Sequence, residues 1–332
     1  MTASSADVRR ERRAVLEAAA RASLRAPSVF NTQPWNWHIA DETMELWAEP
    51  DRHLRATDPD RRLLLLSCGG ALHHGRTALA ADGWAATVER LPDGGRPDLL
   101  ARLHLGGGPV PPDPEARILA GAISRRRTDR RAFGDRRVSG DALSALRRIV
   151  EAQGAYVHVV PSDQVPMLGI STEQAADIES SDPAYRSELT QWTNRPAWTG
   201  DGVPPATAVE PALRRVPVRN FAPQGAEVLP VGEGHDEGAE FLIVYGMGDR
   251  PVDLLRGGEA LSALLLRATA EGLSTAPLSE AVETGWPRYL LRDLLSGVGE
   301  PYVVVRLGYV KSGQLLPATP RRSASETISF DA

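Results

Sequence analysis

The chain has 332 residues, 42% of them hydrophobic, which suffices for one large domain or for two domains that each bury a core. Its formal net charge of −5 gives no reason to expect a polyanion such as nucleic acid as a partner. The single cysteine, Cys68, excludes an internal disulfide and a thiolate metal site, and no apolar run is long enough to cross a bilayer. We therefore expect a cytoplasmic protein that binds neither membranes nor nucleic acid.

The first part of the chain predicts a helix, a pair of short strands and a second, longer helix. Residues 7–24 place apolar side chains near one face and arginines on the other, which is typical of an amphipathic helix. Residues 63–72 are apolar nearly all round, so the helix that contains them is expected at the centre of a domain. Within it, Gly69 and Gly70 would allow another backbone to approach closely.

A stretch rich in glycine and proline, residues 106–114, is the plainest candidate boundary, and it divides the chain into residues 1–112 and 113–332. Beyond it, the pattern of a long helix followed by an extended segment returns. Residues 259–272 resemble residues 70–83, at a shift of 189 positions. We interpret this similarity as an internal duplication, although two helix–strand units can also look this alike by chance.

Residues 161–230 have no counterpart in the first half. They contain Trp192, Trp198, several prolines and short polar helical patterns. A long segment of this kind within a compact protein is usually a lid, a binding loop or a disordered segment, and the aromatic residues argue against disorder. We expect a lid.

Residues 26–35, with the sequence APSVFNTQPW, predict a turn that ends one helix and begins a strand, because each proline disfavours helix in the residue before it. Ser28, Asn31 and Gln33 then offer hydroxyl and amide groups that both donate and accept hydrogen bonds. Such a set suits the polar edge of a flat heterocycle. The same side chains could instead satisfy backbone groups at the end of a helix, so the motif alone leaves both interpretations open.

Two segments resemble motifs of a known family. Residues 26–35 resemble the APSxxNxQPW motif of the flavin-dependent nitroreductases, and residues 126–130, RRTDR, resemble their RxSxR phosphate motif. The likeness continues through residues 67–72 and the insertion around Trp192 to the Acg-like branch of mycobacterial dormancy proteins, and it covers nearly the whole chain. Residues 21–25 also fit R-x-S-x-R, but they abut the first motif without the family's intervening helix, and we treat them as a chance match.

The resemblance implies an α+β, nitroreductase-like fold of two fused halves that form a pseudo-dimer. Central antiparallel sheets would be flanked by helices, with a lid insertion at about residues 161–230 of the second half. In homodimeric nitroreductases the two motifs of one flavin site come from different subunits. Here each motif occurs convincingly once, so the resemblance implies a monomer that acts as a pseudo-dimer and holds one FMN.

The same resemblance assigns residues to the cofactor. Ser28, Asn31 and Gln33 would bond the pyrimidine edge of the ring, where negative charge accumulates on reduction. A loop after the second central helix would cover the flavin near N5, and it consists of Ala276, Pro277 and Leu278. Arginine suits a phosphate monoester because it offers planar, paired N–H groups. The predicted phosphate ligands are Arg126, Thr128, Arg130, Arg321 and Arg322.

The other arginines and the histidines near these motifs are not assigned to the cofactor. Arg125, Arg127 and Arg131 are expected at the surface. The histidines at positions 73 and 74 have no partner at metal-ligand spacing, so no metal site is predicted. No side chain is needed as a nucleophile or general base, because hydride chemistry belongs to FMN N5.

The function implied by the resemblance is two-electron redox catalysis. A donor such as NADH or NADPH would reduce the flavin, and an electron-poor or biosynthetic small molecule would then take the hydride. The chain has no G-x-G-x-x-G fingerprint, so a nicotinamide would stack on the flavin rather than occupy a Rossmann site of its own. The alternative is a non-catalytic FMN storage or redox-stress protein, in which Trp192 or Trp198 of the lid closes the flavin off.

Overall fold

The computed structural model describes residues 5–193, 195–221, 229–311 and 315–331. Residues 5–123 form three helices and four strands. They are α1 (Ser5–Ser23), β1 (Trp35–Ala40), β2 (Thr43–Ala48), α2 (Arg62–Ala81), β3 (Trp84–Arg90), β4 (Leu99–Pro109) and α3 (Pro114–Ile123), the last of which follows the predicted boundary. None of the helices in the described part of the chain is both long and apolar enough to cross a bilayer.

The second half holds the remaining elements, and two of its helices belong to the predicted insertion. They are α4 (Gly140–Glu151), β5 (Tyr156–Val159), α5 (Val165–Ser181), α6 (Pro183–Thr193), β6 (Glu240–Gly246), α7 (Pro251–Ala270), β7 (Ser274–Leu278), α8 (Glu280–Glu283), α9 (Gly285–Leu294), β8 (Glu300–Gly308), α10 (Ala324–Thr327) and β9 (Ile328–Phe330). The insertion, α5 and α6 with the segments that follow them, separates β5 from β6.

The strands form two sheets with matching order. The first sheet has the order β3-β4-β2-β1-β9, and the second has the order β7-β8-β6-β5 when it is followed from β7. Every neighbouring pair is antiparallel except β1 and β9. Without β9, the two sheets place their strands in the same order relative to α2 and α7, which are each 20 residues long. This correspondence supports the predicted duplication.

The two central helices, α2 and α7, pack against each other at a pair of glycines. A Cβ on Gly69 would overlap the carbonyl oxygen of Leu255, and a Cβ on Gly258 would overlap the carbonyl oxygen of Leu66. Leu255 and Gly258 stand 189 positions after Leu66 and Gly69, so the two contacts are exchanged copies of one another. Reciprocal contacts of this kind are typical of a two-fold interface between equivalent units. The prediction that Gly69 lets another backbone approach is confirmed.

Both central helices also end alike. α2 stops at Ala81 and α7 at Ala270, and each is followed two residues later by a glycine with positive φ, Gly83 at +80° and Gly272 at +78°. Glycine adopts this left-handed conformation at little cost, which is why it terminates helices. Gly83 and Gly272 are also the last residues of the matched segments 70–83 and 259–272.

One continuous hydrophobic core runs through both sheets and both central helices. The C-terminal strand β9 returns to the first sheet and pairs in parallel with β1, with Trp37 opposite Ile328. The two halves are therefore joined by a shared core and by a strand that crosses from one to the other, rather than by a single linker.

One predicted loop is wrong. Ala276, Pro277 and Leu278 belong to strand β7, which pairs along its length with β8. β7 lies at the edge of its sheet, and an edge strand tolerates a proline because the missing N–H faces away from the ladder. The loop was expected from the resemblance to the family, and the pairing with β8 shows a strand in its place.

Candidate functional site

A pocket lies between the two halves, where α2 crosses α7, and its volume of about 700 Å³ includes space open to solvent. Both halves contribute to its walls. Predicted site residues that line it are Ser28, Thr128, Arg130 and Pro277, and other lining residues include Ser67, Gly70, Phe221, Gly258, Ser262 and Ser279. The cavity thus brings together residues from both motifs that the sequence analysis singled out.

The first motif reaches the cavity through a strained turn. Phe30, Asn31 and Gln33 have positive φ angles of 50°, 56° and 49°, a conformation that costs free energy for residues other than glycine. The turn is fixed locally, because Ser28 Oγ accepts a hydrogen bond of 2.9 Å from Gln33 N. Ser67 Oγ of α2 accepts a bond of 3.4 Å from Val29 N. The strain and its support indicate a turn held in place for a function.

The amide side chains of this turn are engaged by protein groups. Asn31 Nδ2 donates to Gly202 O at 3.0 Å and to Pro320 O at 3.1 Å. Gln33 Nε2 donates to Gly200 O at 2.9 Å. Both amides therefore tie the insertion to the motif, and Asn31 also ties the C-terminal segment to it. Their assignment to the pyrimidine edge of a flavin stays a prediction.

An arginine cluster, which we define as Arg25, Arg126, Arg127 and Arg321, forms where α1, the segment after α3 and the C-terminal segment meet. Arg126 is only 6% exposed, yet its Nε and Nη1 have no hydrogen-bond partner among the described residues. Burial, followed by the charge of Arg127, lowers the pKa of Arg126 to about 10. Its guanidinium is still cationic at neutral pH, so Arg126 is the buried, unpaired positive charge of the cluster among the described residues, whereas Arg25 is exposed and Arg127 and Arg321 are half-buried.

The two C-terminal arginines lie in different places. Arg321 belongs to the arginine cluster: burial and then Arg126 lower its pKa to about 9, and its Nη1 donates to Asn31 Oδ1 at 3.1 Å. Arg322 turns towards β1 instead, where its Nη1 donates to Gln33 O at 3.2 Å and to Trp35 O at 3.0 Å. Arg322 therefore anchors the backbone of the first motif and is separated from the unpaired charge.

Arg130 lines the cavity but lies apart from the arginine cluster. Its Nη1 donates to Thr207 O at 3.1 Å, and its guanidinium lies 4.3 Å from the centre of the Phe221 ring. Burial lowers the pKa of Arg130 to about 10, while nearby Glu280 acts in the opposite direction. Within the predicted phosphate motif, Arg126 and Arg130 thus have different surroundings.

The expected surface position of Arg131 is wrong. Its side chain is almost fully buried and its Nη2 pairs with Asp129 Oδ2 at 2.8 Å. A run of arginines predicts solvent exposure only when no carboxylate is near, and here Asp129 supplies one two residues away. Arg125 is exposed, as expected, and Arg127 is half-buried.

The insertion covers the cavity with an aromatic residue that the sequence analysis did not name. The rings of Phe221 and Phe30 meet edge to face with centres 5.8 Å apart, and Phe221 lines the cavity. Of the two predicted lid residues, Trp192 is 5% exposed and packs in a small core with Phe30, whereas Trp198 is 87% exposed. Only Trp192 is placed near the motif.

An acidic cluster, defined as Glu179, Glu280 and Glu283 around Arg219, lies beyond the covered side of the cavity. Arg219 Nη2 lies 3.1 Å from Glu179 Oε1 and 2.6 Å from Glu283 Oε2, and Arg219 Nε lies 3.5 Å from Glu280 Oε1. Burial raises the pKa of Glu179 to about 9, with Glu283 and Glu280 adding to the effect. Sequence reasoning missed this cluster, because its members are as far apart in the chain as α5 and α8.

The two histidines of α2 also belong to the centre of the molecule. His73 Nδ1 and His74 Nδ1 each lie 2.9 Å from the hydroxyl of Ser262, which lines the cavity from α7. Burial lowers the pKa of both rings and keeps them neutral. They hold α2 and α7 together below the cavity, and the residues facing them could not be identified from the spacing along one helix.

Comparison with known proteins found relatives along nearly the whole chain, although no family model matches it. A Mycobacterium tuberculosis H37Rv protein named "Putative NAD(P)H nitroreductase Rv3131" is 37% identical over 316 residues, which cover 93% of this chain and 89% of the relative. "Putative NAD(P)H nitroreductase acg" of the same strain is 35% identical over 321 residues, covering 96% of each. Among solved structures, one match is the FMN-dependent nitroreductase NfnB of Mycobacterium smegmatis in complex with NADPH. The match covers 65% of this chain and 99% of that protein, with 17% sequence identity. Its TM-score is 0.43, and no argument is based on it.

Proposed function

The chain belongs to the nitroreductase family of these relatives, and on that basis we propose that it is an oxidoreductase that holds one FMN in the cavity between its halves. The donor would be NADH or NADPH, as the names of the relatives indicate. The acceptor would be an electron-poor or biosynthetic small molecule.

The observation that carries this proposal is the buried guanidinium of Arg126, whose Nε and Nη1 have no hydrogen-bond partner among the described residues. A buried cation without a counter-charge is costly, and arginine cannot relieve the cost by releasing its proton at neutral pH. Arg25, Arg127 and Arg321 raise the local positive charge further. A phosphate monoester carries the charge and the acceptor oxygens that these donors lack. We assign Arg126 and Arg321 to the FMN phosphate, with Arg130 and Thr128 on the cavity wall.

The cavity residues fit the rest of the cofactor. Ser28 and Ser67 bring hydroxyl groups from the first half, and Ser262 and Pro277 line it from the second. Gly70 and Gly258 line it at the crossing of α2 and α7. Bound FMN would supply reversible two-electron transfer at N5, and these residues would bind it, orient it and keep water away.

The pseudo-dimer is part of the same proposal. Residues 1–112 and 113–332 would be two copies of one nitroreductase-like unit, with the insertion at about 161–230 as a later lid. The reciprocal contacts of Gly69 and Gly258 and the matching strand orders support this division. One chain would then offer one complete site and act as a monomer.

A second candidate function is FMN storage without turnover. It is favoured by the way in which the insertion lies on the site: Phe221 covers the cavity, while the backbone at Gly200 and Gly202 accepts hydrogen bonds from the first motif. An acceptor would reach the flavin only if this cover moved. Both functions require bound FMN, and they differ in whether an acceptor can reach it.

The first experiment compares FMN affinity in the wild-type chain, Arg126→Gln and the matched control Arg125→Gln, whose side chain is exposed. Losing two charge-assisted hydrogen bonds to a phosphate should weaken FMN binding by about 100-fold in Arg126→Gln. The control should bind as the wild type does. Equal affinity of all three would show that the phosphate lies elsewhere, and a wild-type chain that does not bind FMN would overturn the proposal.

A second measurement separates catalysis from storage. The FMN-loaded protein is mixed anaerobically with NADH, NADPH or dithionite, and the flavin absorbance is followed. Rapid bleaching by a nicotinamide supports the oxidoreductase. Bleaching by dithionite alone supports storage.

A further inference from the structure

Arg306 is a fully buried arginine of β8, and its guanidinium contacts groups that lie far from it in the chain. Its Nη1 donates to both carboxylate oxygens of Asp236, at 2.9 and 2.8 Å. Its Nη2 donates to the carbonyl oxygens of Asp129 and Arg131, at 3.1 and 2.8 Å. The guanidinium is thus paired with one carboxylate and is also bound to the backbone of the predicted phosphate motif, residues 126–130, and of the residue that follows it.

The two bonded carbonyl groups determine which side chains of this segment face the first cavity. In extended backbone, residues two positions apart share a face, and the residue between them lies on the opposite face. The contacts agree with this alternation: Thr128 and Arg130 line the cavity, whereas Asp129 and Arg131 pair with each other. Because Arg306 binds the carbonyl groups on either side of Arg130, it fixes the rotation of the segment about its own axis.

The carboxylate of Asp236 holds the same segment from a second direction. Phe133 N donates to Asp236 Oδ1 at 2.7 Å, and Asp236 N donates to Phe133 O at 3.0 Å. The guanidinium of Arg306 lies 4.3 Å from the centre of the Phe133 ring. Asp236 has a positive φ of 59°, a conformation that persists for residues other than glycine only where the surroundings fix it. Arg306 and Asp236 together therefore fix the backbone just after the motif.

The corresponding strand of the first sheet carries an arginine with different surroundings. β4 has the place in its sheet that β8 has in the second, and both strands contain an Arg-Leu pair. Arg102 of β4 is half-buried and pairs with carboxylates of the two neighbouring strands, Glu45 at 2.7 Å and Glu89 at 3.6 Å. Arg306, by contrast, is buried against backbone carbonyl groups, and it lies in the half that contains the predicted phosphate motif.

We propose that Arg306 is a positioning residue of the cofactor site, which orients the phosphate motif through its backbone. By binding the carbonyl groups of Asp129 and Arg131, it keeps the side chains of Thr128 and Arg130 on the cavity wall, where they can meet the phosphate of FMN. Asp236 in turn orients Arg306. This inference rests on the proposed FMN site and concerns binding of the cofactor.

The test compares FMN with riboflavin, which has the same ring and ribityl chain but no phosphate. Arg306→Lys keeps a cation opposite Asp236 but offers one nitrogen in place of two, so it cannot hold the carboxylate and both carbonyl groups in the same positions. It should weaken FMN binding by about tenfold, as for the loss of one hydrogen bond to a charged group, and leave riboflavin binding unchanged. Titration of the full chain with each flavin measures both dissociation constants.

Two further variants control for a purely structural effect. Arg102→Lys makes the same change on the corresponding strand and should alter neither affinity. Asp236→Asn keeps an oxygen for Phe133 N, and asparagine tolerates positive φ, but the charge that orients Arg306 is lost. It should lower the preference for FMN over riboflavin by about threefold. Equal weakening of both flavins, or an unchanged preference in Arg306→Lys and Asp236→Asn, would overturn the inference.

Failure of this inference is distinguishable from failure of the proposed function. A wild-type chain that binds FMN, with the same preference in the variants, keeps the cofactor and rejects the positioning role. A wild-type chain that binds neither flavin overturns the FMN site, and inorganic phosphate then serves as the probe.

Thermal unfolding in phosphate and in chloride of equal ionic strength gives that second readout. Phosphate should stabilise the wild-type chain more than chloride does, and Arg306→Lys should lose this difference while Arg102→Lys keeps it. That result would support the positioning role for an anion site without flavin. No difference between the two salts in the wild type, or the same difference in Arg306→Lys, would overturn it.

Discussion

The arginine cluster and the acidic cluster present opposite electrostatic problems on two sides of one cavity. In the first, Arg126 and Arg321 are buried with other arginines, and no ion pair to a carboxylate is found for them in the described part of the chain. In the second, three carboxyl groups share Arg219. The arginine cluster therefore has an excess of positive charge, and the acidic cluster has an excess of carboxyl groups.

The two clusters differ in how the excess can be relieved. A carboxyl group can take up a proton, and the raised pKa of Glu179, about 9, means that the acidic cluster resolves its excess charge internally at neutral pH. A guanidinium cannot release its proton in that range, even with a pKa lowered to about 10, as for Arg126. Excess positive charge on arginines is therefore relieved by a bound anion, whereas excess negative charge on carboxyl groups is relieved by protonation and needs no bound cation. This contrast is why the phosphate is assigned to one side only.

The largest expected effect is on stability, through the packing of α2 against α7 that joins the two halves. Gly258→Ala places a Cβ against the carbonyl oxygen of Leu66 at the α2–α7 crossing, where neither backbone can yield. We expect the free energy of unfolding to fall by about 3 kcal/mol or more. Gly121→Ala is the matched control, because its Cβ would meet nothing within 4 Å on exposed α3, and it should stabilise by about 0.5–1 kcal/mol. Denaturant unfolding of both variants checks this, and equal stabilities would show that the crossing is loose.

The next effect concerns the unpaired charge of the arginine cluster. Arg126→Met removes a buried cation whose Nε and Nη1 have no partner in the part of the chain that the structure describes, so the free energy of unfolding without FMN should rise by about 1–3 kcal/mol. The same substitution should reduce the additional stability that FMN confers by up to about 2.7 kcal/mol, which corresponds to a 100-fold weaker affinity. Thermal unfolding with and without FMN measures both. Destabilisation of the FMN-free variant would mean that Arg126 is already satisfied within the protein.

The smallest expected effect is on the pH dependence of stability, which reports the proton held by the acidic cluster. Folded Glu179, which faces Arg219, Glu280, Glu283 and Tyr185, keeps a proton that the unfolded chain releases above about pH 4.5. Stability contributed by this proton is thus complete below that pH and is lost as the pH rises towards about 9, by about 1.4 kcal/mol per pH unit.

Glu179→Gln cannot titrate, so its free energy of unfolding should depend less steeply on pH between 5 and 9 than that of the wild type. Glu173→Gln, an exposed residue of the same helix, should keep the wild-type slope. Urea unfolding across this range measures both. Parallel curves for the wild type and Glu179→Gln would place the proton elsewhere.

Part of the site could be predicted from the sequence because its signals are local. The turn at residues 26–35 and the arginines at 126–130 stand in short motifs, and Gly69 lies in a helix apolar enough to predict burial. The ends of α2 and α7 follow from single glycines with positive φ. The loop expected at residues 276–278 was wrong, because it was assigned from the resemblance to the family and strand pairing with β8 cannot be read from the local sequence.

The sequence by itself determined the family motifs, the central helices and the shift of 189 positions that relates them. Only the tertiary structure decided that Arg126 and Arg321 meet, with no counter-ion among the described residues, and that Arg322 turns away to β1. It also decided that Glu179 and Glu283 converge on Arg219. The physical reason is that hydrogen-bonding periodicity and turn conformation are properties of neighbouring residues, whereas the cost of a buried charge depends on which distant residues exclude water from it and which supply the opposite charge.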